Sequence, residues 1–181
     1  MNRMEPIRDT ENIKEIKEDL LKQSYRNYMM FLVGINTGLR VSDLLRLKVD
    51  DIRDKKHIIV KEQKTSKYKQ FLINKVLRKE LNEYMKDMDN DEYLFQSRIG
   101  KNKALSRFQA YRIISTAGRK VGLERIGCNS TRKTFGYHHY KKYKDVALLQ
   151  KLFNHSEPAI TLCYIGITQD ILDDSIENFS L

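Results

Sequence analysis

The chain of 181 residues has little cysteine, little proline and no long hydrophobic run, and each shortage excludes something. The two cysteines, Cys128 and Cys163, form neither a metal-ligand spacing nor a disulfide framework, so both are expected to be free thiols. There are two prolines and no Pro/Gly-rich linker, internal repeat or low-complexity segment, so no domain boundary is marked. The longest apolar run, around Met29 to Ile35, is far too short to cross a bilayer, and the first ten residues lack a signal-peptide hydrophobic region. The expectation is a cytoplasmic protein with no membrane partner. Basic residues also stop early: beyond Lys151 there is no Lys or Arg, and Glu157, Asp170, Asp173, Asp174 and Glu177 give the last 30 residues a net charge of −5.

What is present fits one domain spanning residues 1–181, because 40% of the residues are hydrophobic and can build a core. The net charge of +10 leaves +15 on the first 151 residues once the acidic tail is set aside. Lys and Arg concentrate in three stretches, 55–79, 98–120 and 132–144, and the second holds seven of them with no acid. Such a one-sided basic surface points to a polyanion, with double-stranded DNA ahead of an anionic membrane surface.

Apolar spacing predicts amphipathic helices over 11–23, with Thr10 or Asp9 as N-cap, then 24–36, 41–47, 75–88 and 106–121. Thr37 and Gly38 break the second of these, which places Arg40 at a helix start after a glycine turn. Shorter β-rich runs at Val49–Ile52, His57–Val60 and Tyr68–Ile73 predict a three-stranded antiparallel sheet, with Lys64 in its last turn. Further helices are predicted after Arg132, through Val146 to Phe153 ahead of His155, and around Tyr164. Gln169 to Leu181 has Ile171, Leu172, Ile176 and Phe179 among acids, a tail helix that packs on its own domain or docks on a neighbouring subunit.

Tyr164 on its own is a weak nucleophile, because a phenol titrates near ~10. The chain supplies what it needs as far away as its first third. Two arginines, Arg40 and Arg132, can clamp the oxygens of a phosphodiester with forked donors. Lys64 can protonate a leaving oxygen, and His155 can bond the phosphate or handle the tyrosine proton. The set calls for no metal and no cofactor.

These residues resemble the tyrosine recombinases, or phage integrase family. TGLRVSDLLRLKVDDI is similar to the family's first arginine motif. Lys64, 24 residues after Arg40, stands where the family carries its hairpin lysine. NSTRKTF resembles the HxxR box, and LFNHSEPAITLCY resembles the box with the late histidine and the nucleophile nine residues on; 23 residues separate Arg132 from His155. The resemblance implies a mainly α fold with a small sheet. The implied activity is DNA cleavage and rejoining through a 3′-phosphotyrosyl intermediate, worked by Arg40, Lys64, Arg132, His155 and Tyr164 in a tetramer that exchanges tail helices. A catalytically weak DNA-binding accessory protein and a type IB topoisomerase-like activity are the alternatives.

Two departures stand out. The position that would be the HxxR histidine is Asn129, which can donate a hydrogen bond but cannot carry a proton, and His138 and His139 lie roughly 9 to 10 Å along the helix from Arg132, too far to replace it. About 39 residues precede Arg40, so the N-terminal core-binding domain of relatives is expected to be absent, with weak and steeply salt-dependent DNA affinity as the consequence.

Overall fold

A computed structural model describes residues 4–61, 68–177 and 179–180. Helices α1 (Thr10–Gln23) and α2 (Tyr25–Thr37) pack against each other, followed by the single turn α3 (Val41–Leu44), the strands β1 (His57–Lys61) and β2 (Tyr68–Leu72), and α4 (Lys75–Tyr84). Then come α5 (Arg107–Lys120), α6 (Cys128–Tyr143), α7 (Val146–Phe153), α8 (Pro158–Ile165) and α9 (Thr168–Glu177). Among the described residues no helix is long and apolar enough to cross a membrane.

The helix ends follow local chemistry. Asp9, not Thr10, caps α1 by accepting from the Glu11 amide, Asn74 and Asp145 cap α4 and α7, and Ser106 and Gln109 form a reciprocal box at the start of α5. Helix α2 ends on Gly38 at φ 66°, and the Phe135 ring fills the space where a Cβ would go.

Among the described residues the sheet has two strands where three were expected, paired antiparallel with His57 opposite Leu72 and Val60 opposite Lys69. Val49–Asp51 is instead a 3₁₀ turn. Val49 and Ile52 are both fully buried, and residues three apart share a face in a helical turn but point to opposite faces in a strand. The Asp51 carboxylate closes the turn by accepting from the Lys48 amide at 2.8 Å.

Most buried apolar residues form one cluster built on α1 and α2, α4 and α5; a second, smaller cluster unites Tyr137, Leu149, Phe153, Ile165 and Ile167. Helix α6 lies between them, packed against α2, α5, α7 and α8. Its residues 130–134 (Ser, Thr, Arg, Lys, Thr) are all buried, and their hydroxyls are used: Ser130 Oγ accepts from the Gly127 amide, Thr131 donates to the Cys128 carbonyl, and Thr134 Oγ1 accepts from the Ile7 amide. Buried polar groups persist where they are hydrogen-bonded, and here they let a polar helix run through the middle of the molecule.

Candidate active site

The buried polar run of α6 carries Arg132, which is 5% exposed. One arm of its guanidinium, Nη1, donates to the Gly38 carbonyl at 2.5 Å, and Nη2 donates to the Phe153 carbonyl at 3.0 Å. Both acceptors lie at helix C-terminal ends, where unpaired carbonyls and the helix dipole favour a cation. Gly38 is two residues before Arg40, and Phe153 is two residues before His155. A single side chain therefore ties together the two turns that carry those residues.

Arg40 is half-buried and caps α3, with its carbonyl accepting from the amides of Asp43 and Leu44. His155 follows Asn154, which ends α7 in the left-handed conformation at φ 56°. Its Nδ1 pairs with Thr161 Oγ1 at 3.0 Å, fixing the ring with Nε2 on the opposite edge. Burial, and then the charges of Arg132, Arg40 and Lys69, hold the imidazole below its usual titration range. The buried ring and its cationic neighbours thus disfavour the imidazolium form.

Helix α8 presents Tyr164 to this cluster. Pro158 starts the helix at a position that needs no amide donor, and Gly166 ends it at φ 78°. The Tyr164 ring stands edge-on to His155, with centroids 5.1 Å apart, and edge-on to Phe153 at 5.6 Å. Gly136 makes the approach possible: a Cβ there would lie 2.6 Å from Ile165 and 2.7 Å from Phe153.

The structure thus brings Arg40, Arg132, His155 and Tyr164 together. Lys64 lies outside the described residues, although the hairpin that leads to it is anchored: Lys69 on β2 donates to the Leu152 carbonyl at 2.9 Å, at the end of α7. Asn129, in the first turn of α6, is exposed and borders a groove of about 560 Å³ with Arg107, Phe108 and Tyr111. His138 and His139 do not join the site. His138 Nε2 pairs with the Ile7 carbonyl at 2.9 Å, and His139 packs between Phe135 and Tyr143. Cys128 is buried and Cys163 exposed, and neither is in a disulfide.

Sequence reasoning missed three neighbours of the site. Lys133 is 5% exposed, and its ammonium sits 4.8 Å from the Tyr164 ring centroid. Arg8 donates to the Gly166 carbonyl at 2.8 Å and stacks on Tyr137, holding the end of α8 from the N-terminal side. Lys69 had no signal apart from its membership of a lysine-rich stretch. The one hint for Lys133 was its adjacency to Arg132.

A family model described as "Phage integrase family" matches residues 8–170. The chain is 48% identical over 170 residues to a protein named Probable integrase/recombinase YoeC from Bacillus subtilis, a match covering 94% of this chain and 93% of that one. It is 30% identical over 174 residues to Tyrosine recombinase XerA from Pyrococcus furiosus, covering 94% of this chain and 60% of that protein. Among solved structures, the XerH site-specific recombinase bound to palindromic difH substrate, in a post-cleavage complex, aligns with a TM-score of 0.73 at 20% identity. That alignment covers 98% of this chain and 54% of the other, a likeness of fold.

Proposed function

The chain belongs to the phage integrase family, and from that premise we propose that it is a site-specific DNA recombinase acting by transesterification. The observation that carries this reading is the Arg132 fork, which gathers the Arg40 and His155 turns around one point with the Tyr164 ring beside them. Tyr164 Oη attacks the scissile phosphorus, the bond from phosphorus to the 5′ oxygen breaks, and a 3′-phosphotyrosyl ester forms. Arg40 and Arg132 bind the non-bridging oxygens and offset the charge that grows on them. Lys64 donates the proton taken up by the 5′ oxygen. His155 bonds the phosphate or takes the tyrosine proton, and Asn129 adds a hydrogen bond. Rejoining runs the same steps backward with another 5′ hydroxyl.

Residues 1–181 are read as one catalytic unit, and double-stranded DNA as its partner. The charge of +15 on the first 151 residues supports that partner, and the XerH chain of similar fold is itself bound to DNA. Strand exchange needs two sites acting in step, and so a tetramer on two duplexes. Ile176 and Phe179, 71% and 67% exposed on the acidic tail, are an apolar face suited to docking on the next subunit.

The test is incubation with nicked suicide DNA followed by a denaturing gel. The expected result is a covalent protein–DNA adduct that disappears in Tyr164→Phe. If wild-type protein binds DNA and forms no adduct, the chain is a DNA-binding accessory module, the reading favoured by the loss of a proton carrier at Asn129.

A further inference from the structure

Lys133 is a lysine with 5% of its surface exposed, on the helix that packs against the one bearing Tyr164. Burying an ammonium costs far more than burying the methionine or leucine that would fill the same volume. Its place is specific: the ammonium lies 4.8 Å from the centroid of the Tyr164 ring. We propose that Lys133 is a positioning residue for Tyr164, holding the ring against His155 and favouring the phenolate over the phenol as the nucleophile forms. The inference rests on the reading of Tyr164 as nucleophile given above.

The charge distribution supports it. A cation over an aromatic face is attracted to the ring quadrupole, and the attraction grows when the ring becomes an electron-rich phenolate. Two further charged or titratable groups lie near the ring: His155, edge-on from the turn before α8, and Arg132, stacked on the Phe153 ring that in turn contacts Tyr164. Tyr140 packs in the same small cluster. Burial and neighbouring cations lower the titration of His155, and Arg132 directs one donor each to the Gly38 and Phe153 carbonyls. Lys133 is the cation in direct contact with the ring face. Ordering the ring and stabilising its anion both act on the attacking group and leave phosphate binding untouched.

The test compares adduct formation on suicide DNA by wild type, Lys133→Met and Lys133→Arg from pH 6.5 to 9.5, with DNA affinity measured in parallel. Lys133→Met is expected to form adduct more than about tenfold more slowly at pH 7 with unchanged DNA affinity. The deficit should shrink to within about threefold at pH 9.5, where roughly a quarter of an unassisted phenol is already ionised. Lys133→Arg, which keeps the charge, should stay within about threefold of wild type throughout. A Lys133→Met protein within twofold of wild type at pH 7, or a deficit constant across the pH range, overturns the inference. Should Lys133→Met not fold, an alkaline ultraviolet difference titration of wild type against Tyr164→Phe isolates the Tyr164 phenol: half-ionisation below pH ~10 supports the role, and ionisation at or above that value overturns it. Absence of any adduct with wild type would instead overturn the recombinase reading itself.

Discussion

The guanidinium carbon of Arg132 sits 4.2 Å from the centroid of the Phe153 ring, while Nη2 of the same group donates to the Phe153 carbonyl at 3.0 Å. One residue thus receives Arg132 by both its ring and its backbone, at the end of the helix that delivers His155. The arginine is thus a strut as well as the proposed phosphate ligand, and several consequences can be measured.

Arg132→Lys keeps the charge but cannot make the planar fork to Gly38 and Phe153. Losing one charge-assisted hydrogen bond in a buried place costs about 1–3 kcal/mol. A fall in Tm of several degrees is expected, roughly 2–4 °C per kcal/mol at this size. Cleavage should fall further than stability, because the Arg40 and His155 turns separate. A variant with wild-type Tm contradicts the strut role.

Gly136→Ala places a methyl group where Ile165 and Phe153 already stand, at 2.6 and 2.7 Å. Overpacking of this kind costs about 1–3 kcal/mol. Helices α7 and α8 must move away from α6, so adduct formation should drop by more than about tenfold while DNA binding is retained. Normal cleavage by this variant would show that the close approach is dispensable.

The depressed titration of His155 has a definite sign. Its cause is burial first, then Arg132, Arg40 and Lys69. Because the folded protein resists protonating this ring, its contribution to stability is present above the unfolded histidine value of ~6.5 and is lost as pH falls through the lower folded value. His139, lowered by burial, acts in the same direction. A bound phosphate offsets the three cations and raises the affinity of His155 for a proton, so DNA binding should take up a proton and tighten as pH falls. Isotherms for Tyr164→Phe at pH 5.5 and 7.5, with and without His155→Gln, measure this. Equal pH dependence in the two proteins removes His155 as the source.

Asn129 is exposed in the first turn of α6 beside Arg107 and Tyr111, with room for a larger side chain. Asn129→His is expected to raise adduct formation by more than about twofold. A smaller change means that this position does not limit the rate.

The double substitution Ile176→Asp and Phe179→Asp replaces two exposed apolar side chains and leaves the core intact. Assembly of higher complexes on DNA, read by native gel or light scattering, should be lost while single-site cleavage persists. Unchanged assembly would remove the tail as the docking element.

Periodicity and local stop signals are legible in a sequence because they act within a few residues. Gly38 as a break and Asp9 as a cap were open to that reading, and so were the family motifs, which are spacings along the chain. Val49–Ile52 failed the same reading: a short run with two acids at its centre fits either period, and the burial of Val49 and Ile52 on one face decided for a turn.

The sequence by itself determined a mainly helical fold, a basic body with an acidic end, and the family motifs that single out the proposed site residues. Tertiary structure alone decided how those residues meet. It put Arg132 between the Gly38 and Phe153 carbonyls, buried Lys133 against Tyr164, and set Gly136 where two helices close. The physical reason is that α6 is enclosed by four other helices, so no single polar face records which of its residues point where. Side chains there are directed by contacts 20 to 130 residues away along the chain, from Phe153 in one direction to Ile7 in the other.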